Sequence, residues 1–390
     1  MSIDPAPFTR FYSLGEGGVV FHEVASRLWV LNATAAPVWC LFDGIRTPAE
    51  IGAELSRRFG ADPSRAARDA HEAVRFFRDE GLLAGGQPPE PSPAPILSPI
   101  PLPGPELLVG GSWAIEAGFA IPGQTLEFRC QDAGIGQFFR RALVHFERQG
   151  TAPSVTRLAV VRASGATLDV YLDGTRRWAG LRRGEVLPYL VASAFLRGLD
   201  GLSDRLLFHA AVVAGPSGAI VLAGPAGSGK TTVAAALAAR GWRCYSDEVA
   251  VFDVQRRAVC PFPFPLGVKS ESAQALEAYY PGISQGPYSL RSDGKRVHYL
   301  TLPQGWVPAE GEECAVRALI FPAFQENEET RLSEIEKADA LQRLAQTGAS
   351  GRDLRAADVE ATVEVVDRNP CWELIYSDLE TAIRVLDPLL

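Results

Sequence analysis

Residues Gly224-Pro225-Ala226-Gly227-Ser228-Gly229-Lys230-Thr231 combine small side chains, one ammonium and one hydroxyl at the spacing G-x-x-x-x-G-K-[ST]. Small residues let successive backbone N–H groups wrap a phosphate, the lysine meets its outer oxygens, and the threonine hydroxyl can hold Mg2+. Gly224, Gly227, Ser228, Gly229, Lys230, Thr231 and Thr232 are therefore candidate nucleotide-binding residues, and a nucleoside triphosphate such as ATP is the expected ligand. Two acids, Asp247 and Glu248, follow sixteen residues after Thr231. A carboxylate at the mouth of such a loop can bind magnesium or take the proton of an attacking hydroxyl. Asp253, closing Val249-Ala250-Val251-Phe252, fits the same apolar-run-then-acid pattern. Asp247 is preferred because the double acid directly follows the first returning strand.

The elements that must position these groups are legible around them. Ile220-Val221-Leu222-Ala223 reads as a strand feeding the loop, and the alanine-rich stretch from Thr232 to Arg240 reads as a helix that turns its positive end to the phosphates. Gly241-Trp242-Arg243-Cys244-Tyr245 reads as a tight turn and a short strand carrying Asp247 back toward the loop. The chain has only four lysines, Lys230, Lys269, Lys295 and Lys337, against thirty-four arginines. A compact ammonium and a planar guanidinium are not interchangeable at a phosphate. Lys269, after the proline-rich Pro261 to Val268, and Lys295, in the turn Arg291 to His298, thus become candidate phosphate or acceptor contacts, with Arg296 and His298 beside them.

The segments Phe208-His209-Ala210, the phosphate loop, Arg240-Gly241-Trp242-Arg243 and Ser246-Asp247-Glu248-Val249 resemble the HPr kinase/phosphorylase group, more closely its branch of HPr-kinase-related proteins. Leu319-Ile320-Phe321-Pro322 and Pro370 to Tyr376 extend the resemblance, which covers roughly Leu107 to Leu390. It implies an α/β fold with a P-loop kinase domain of HPr-kinase type. It also implies Asp247 as general base toward a Ser or Thr hydroxyl, His209 as a contact to phosphates or acceptor, Lys230 on the phosphates, and Glu248 with Thr231 on the metal. Two departures are visible: Glu248 stands where the bifunctional enzymes have Asp, and Ala210 where they have Gly. No Glu-Val-Arg-Gly stretch of the kind those enzymes use for metal and reverse phosphorolysis is present, so the resemblance implies the kinase activity and leaves the reverse phosphorolysis open.

Residues 84–106 hold nine prolines in twenty-three positions, a composition that favours extended polyproline conformation over a helix or central strand. It predicts a linker between two folding units, the second able to fold without the first. In residues 1–83, short strands at Phe11 to Ser13, Val19 to His22 and Leu28 to Leu31 precede three helices. These are Ala35 to Phe42, one capped by Thr47-Pro48 and running to Phe59-Gly60, and one capped by Asp62-Pro63 and ending at Gly81. That order reads as a winged-helix domain. Leu31-Asn32-Ala33-Thr34-Ala35, Val38-Trp39, Leu41-Phe42-Asp43-Gly44 and Phe76 to Leu83 resemble the PqqD-like peptide chaperones, or RiPP recognition elements. The resemblance implies that a precursor peptide's leader adds as a strand to the sheet edge. Val19, Phe21, Leu28 and Val30 on one side and Val74 on the other would line its groove.

Residues 107–202 read as an α/β flank, with strands at Leu126 to Cys130, Leu158 to Arg162 and Leu168 to Leu172, and helices at Gln137 to Arg148 and Val186 to Leu199. Residues 203–390 form the expected catalytic domain. With 390 residues, 47% apolar content and net charge −8, the chain can build ordinary cores and makes a poor nucleic-acid binder. Six scattered cysteines without a C-x-x-C pair suggest neither a zinc site nor a disulfide framework. No signal sequence or membrane-length apolar run is seen, so a cytoplasmic protein is expected. A homo-oligomer is compatible with the sequence. The function implied is an ATP-dependent kinase acting on a Ser or Thr of a leader-bearing precursor peptide. The alternatives are a kinase for free serine or a small metabolite, and a nucleotide-binding regulatory protein without transfer activity.

Overall fold

The computed structural model describes residues 3–86, 89, 112–147, 155–309, 311–348 and 352–389. The proline-rich linker, 84–106, lies outside the described residues apart from 84–86 and 89. Before it, strands β1 (Thr9–Leu14), β2 (Gly17–His22) and β3 (Arg27–Leu31) form an antiparallel sheet in that order, followed by helices α1 (Ala35–Cys40), α2 (Pro48–Phe59) and α3 (Pro63–Asp79). The helix starts follow from their caps. Thr47 and Glu50 form a reciprocal capping box ahead of Pro48, and Asp62 accepts from the backbone N–H of Arg65. One face of the sheet, through Val20, Trp29 and Leu31, packs with α1 to α3 around Val38, Trp39, Ile51, Ala66, Ala70, Val74 and Phe77.

The flank is a five-stranded sheet in the order β4 (Ile115–Ile121), β5 (Gln124–Cys130), β6 (Val155–Arg162), β7 (Leu168–Leu172), β8 (Thr175–Leu181), with α4 (Ala133–Ala142) and α5 (Arg183–Asp200) packed on it. The strand pattern of β4 and β8 escapes sequence reading because each mixes half-buried and exposed positions.

The last unit is built on a nine-stranded sheet. Its strands are β9 (Leu206–Phe208), β10 (Ala210–Gly215), β11 (Gly218–Ala223), β12 (Arg243–Ser246), β13 (Ala250–Asp253), β14 (Ala258–Cys260), β18 (Cys314–Phe324), β19 (Arg331–Glu334) and β20 (Cys371–Tyr376). β11, β18 and β20 run parallel side by side at its centre, and β12 joins the edge beyond β10. A separate sheet holds β15 (Leu266–Lys269), β17 (Arg296–Leu300) and β16 (Ser289–Leu290) in that order. Helices are α6 (Lys230–Ala239), α7 (Ser270–Ala273), α8 (Lys337–Ala345), α9 (Ala356–Arg368) and α10 (Leu379–Leu386). Side-chain alternation along β10 and β11 sends Ala211, Val213, Ile220 and Leu222 toward α6 and α10, and Val212, Ala214, Ala219 and Val221 toward α8 and α9.

The first unit is not separable from this core. Val19 and Phe21 on β2 and Leu14 on β1 are buried in one cluster with Phe208, Val221, Leu341, Val359 and Val363, with Tyr12, Leu28 and Val30 packed against it. The Tyr12 hydroxyl donates to the Ala356 carbonyl at 3.2 Å, and the Leu354 N–H to Ser26 Oγ at 2.7 Å. The small sheet is thus covered on both faces. A catalytic unit folding independently of residues 1–83 is the expectation this overturns: removing them would strip α8 and α9 of an apolar cover.

Candidate active site

The order β12-β10-β11, with both pairs antiparallel, makes β12 parallel to β11, so both strands end on the same side of the sheet. Gly224 to Gly229 leaves β11 there and enters α6 at Lys230; Asp247 and Glu248 leave β12 beside it. His209 sits just before β10, next to the end of β11 because Ala210 pairs with Ala223. Gly227, Gly229, Lys230, Thr231, Thr232, Asp247, Glu248 and His209 line one cleft of about 260 Å3, together with Lys269, Ser272, Arg291, Asp293 and Lys295; Gly224 and Ser228 are not part of its lining.

Three features of the loop suit a phosphate group. Gly224, Gly227 and Gly229 adopt φ of +156°, +90° and +98°, the region where glycine alone is unstrained. A Cβ on Gly229 would stand 1.9 Å from Tyr376 Oη, so this position is closed to side chains by β20 as well as by its backbone. The Ser228 hydroxyl is buried without a hydrogen-bond partner among the described residues, a polar atom that a ligand oxygen would satisfy. Lys230 Nζ donates to the carbonyls of Gly224 and Pro225 at 2.7 and 3.0 Å. Burial lowers its pKa, Glu248 and Asp247 oppose that, and the ammonium of Lys269 adds to it. The donor set therefore fits a triphosphate, and Thr231, Asp247 and Glu248 supply the hard oxygens that Mg2+ prefers.

Asp247 is 2% exposed. Burial, then the neighbouring Glu248 charge, raises its pKa well above the usual carboxylate range; hydrogen bonds from the Gly267 N–H, at 3.2 Å, and from Thr231 oppose the shift. Glu248 is half-exposed, its carboxylate 3.6 Å from His209 Nδ1, while its carbonyl lies 2.9 Å from the same nitrogen. The His209 N–H donates to the Thr347 carbonyl at 2.6 Å, tying the residue to the end of α8. Asp253 is elsewhere: it pairs with Arg205 and caps the turn at Gln255 and Arg256. With Cys260 and Glu313 it forms a group whose donor atoms lie within 4.8 Å of one another. Arg205 on Asp253 and Arg256 on Glu313 already balance its charge.

Of the expected outer contacts, Lys269 and Lys295 line the cleft. Arg296 does not; its guanidinium stacks over the Tyr288 ring, 4.7 Å from the centroid. His298 is buried with Nε2 3.0 Å from Ser270 Oγ. Arg291, Asp293 and Ser272 were missed. The charged turn Arg291 to Lys295 held the signal, but an Asp-Gly turn flanked by charges reads equally as solvated surface.

The expected leader groove is corrected. Val19 and Phe21 are fully buried against the last unit, Leu28 and Val30 pack on the same core, and Val74 lies inside the helical core of the first unit. The reason is the period of two in β2 and β3: one face of the sheet meets α1 to α3, the other α8 and α9, so no side chain among these five lines an open groove. What remain are the outer edges of β1 and β3, each of which pairs with β2 alone among the described strands. Near the end of β3 is a cleft of about 340 Å3 lined by Ala33, Thr34, Pro37, Leu55, Phe59 and Arg65, among others. Among the described residues no helix is long and apolar enough to cross a membrane.

Comparison with known proteins bears on the first unit. Residues 17–83 match the family model described as "Coenzyme PQQ synthesis protein D (PqqD)". Among 28 matching chains of solved structures is "TbiB1 in Complex with the TbiA(beta) Leader Peptide". It is 19% identical, with a TM-score of 0.20, over 22% of this chain and 99% of that one. No curated protein matches. Residues 17–83 are thus similar to PqqD, and the glycine-rich loop and its cleft lie outside that match.

Proposed function

We propose that the protein is an ATP-dependent kinase that phosphorylates a Ser or Thr hydroxyl of a ribosomally made precursor peptide, held by its leader on the PqqD-like unit. The observation that carries the reading is the convergence, in one cleft, of a glycine loop opening a helix, a buried carboxylate and Lys230 within electrostatic reach of it. Loop N–H groups, the Ser228 hydroxyl and Lys230 bind and orient the phosphates. Asp247 accepts the proton of the acceptor hydroxyl while its oxygen attacks the γ-phosphorus; the bond to the bridging oxygen breaks, ADP leaves, and the phosphoryl group stays on the acceptor. A carboxylate raised by burial is a stronger base than an exposed one, which suits that role. His209, fixed through its backbone to α8 and beside Glu248, is placed to contact the phosphates or the acceptor. Mg2+ held by Thr231 and Glu248 would supply neutralisation of the phosphate charge. On the first unit, the open edge of β3 supports leader capture by strand addition, in which backbone hydrogen bonds provide affinity and the adjoining pocket beside Phe59 provides selectivity.

Calorimetry of Mg·ATP with the full chain tests the nucleotide site: saturable binding lost in Lys230→Ala is expected. Wild-type affinity in that variant would remove the loop from the site. Turnover of free L-serine in preference to any peptide would favour the small-metabolite reading.

A further inference from the structure

The cleft carries cations beyond those a nucleotide site uses, and their placement speaks to the acceptor. Three of the chain's four lysines line it, in a protein of net charge −8. Lys230 is buried in the loop, and Lys269 is near enough to disfavour its charge. Arg291 and Lys295 belong to a different structure, the turn between β16 and β17. That turn is closed by two backbone hydrogen bonds: the Arg291 N–H donates to the Lys295 carbonyl at 2.9 Å, and the Gly294 N–H to the Arg291 carbonyl at 3.0 Å. Helix α5 of the flank packs against β16, so the flank fixes the turn in place.

Two cations in the turn share one acid. Asp293 lies 3.4 Å from Arg291 and 3.9 Å from Lys295, which leaves the rim with a net positive charge. Both side chains are about half exposed, so they stand at the entrance of the cleft. Arg291 also shares a neighbour with the acid pair. Burial pushes the Tyr299 phenol up to about 12, Arg291 opposes that shift, and Glu248 and Asp247 add to it. One ring thus lies within electrostatic reach of the rim cation and of the proposed base.

We propose that Arg291 and Lys295 select an acceptor that carries a carboxylate close to its hydroxyl, so the phosphorylated residue lies in an acidic peptide segment. This rests on the kinase reading for the role of the acceptor, although binding can be read without turnover. Guanidinium and ammonium groups would also attract nucleotide phosphates, so the test must separate the two sources of negative charge.

Two labelled peptides of equal length serve as probes, each with a single serine, flanked by glutamates in one and by glutamines in the other. Fluorescence anisotropy with the full-length protein and a non-hydrolysable ATP analogue should show the glutamate peptide binding about ten-fold more tightly, with the preference shrinking as salt rises. In Arg291→Gln/Lys295→Gln that preference should vanish with the affinity for the ATP analogue unchanged, and a melting curve checks that the double variant is folded. Equal binding of the two peptides by the wild type overturns the proposal, as does a double variant that loses the nucleotide while keeping the peptide preference. Preferential binding of the glutamate peptide, with no phosphate transferred when Mg·ATP replaces the analogue and a leader is attached to the peptide, would instead sink the kinase reading and leave the acidic preference standing.

Discussion

Asp247 concentrates the conflict on which the proposed chemistry depends, because a carboxylate enclosed beside Glu248 is a good base and a poor stabiliser. Its raised pKa means that its favourable contribution to folding is fully present below the ordinary carboxylate pKa and is lost as pH rises through the raised value. Asp247→Asn should therefore melt at a higher temperature than the wild type near neutral pH, with the gap closing toward pH ~4. The same variant should lose transfer by about 10²-fold or more while still binding Mg·ATP. Thermal melts across pH, read beside a transfer assay, check both halves; a wild-type rate would move the base elsewhere. Gly229→Ala adds a methyl group against Tyr376 at a positive φ. It should weaken ATP binding by about ten-fold or more through loop strain, measurable by calorimetry. These residues were legible because phosphate chemistry demands particular types at fixed spacing. Tyr376 was not, since the contact depends on β20 lying in the same sheet as β11, a pairing across the chain that no local pattern announces.

At the scale of elements, the helix caps at Thr47 and Asp62 and the strand before the loop were readable from local chemistry, whereas β18 and β20 entered the sequence reading only as segments of a resemblance. The two-sided burial of β2 was written in the run Val19-Val20-Phe21, since a strand solvated on one face would alternate apolar and polar residues. The resemblance instead implies Val19 and Phe21 as groove lining. Phe21 is fully buried in a cluster shared with β9, β11, α8 and α9. Phe21→Ala should cost about 3–5 kcal/mol, and it should lower the melting of the nucleotide unit and the first unit together. Chemical denaturation followed by a probe in each unit distinguishes this from two separate transitions, which would show the units to be independent. His209 belongs to the same argument, because its backbone is held by Thr347 at the end of α8, and α8 also touches β3.

Across the whole molecule, the proline-rich composition of 84–106 suggests a change of unit but carries no information on how the units pack. Packing was decided by apolar faces far apart in sequence: Leu14, Val19 and Phe21 against Val359 and Val363. Residues 1–83 are therefore as much a part of the core as a recognition module, and deleting them should yield an aggregation-prone chain rather than an active kinase with weakened substrate affinity. The leader's contribution is better isolated by changing the peptide. A leader attached in cis raises the local concentration of the acceptor toward the millimolar range, so its removal should raise KM far more than it lowers kcat. The most direct measurement is mass spectrometry of a leader-bearing precursor peptide that binds the first unit, incubated with Mg·ATP and the full chain. The account predicts the gain of one phosphate on a Ser or Thr, dependent on the leader and absent with Asp247→Asn. An unmodified peptide despite saturating ATP binding, or equal phosphorylation with and without the leader, would contradict it.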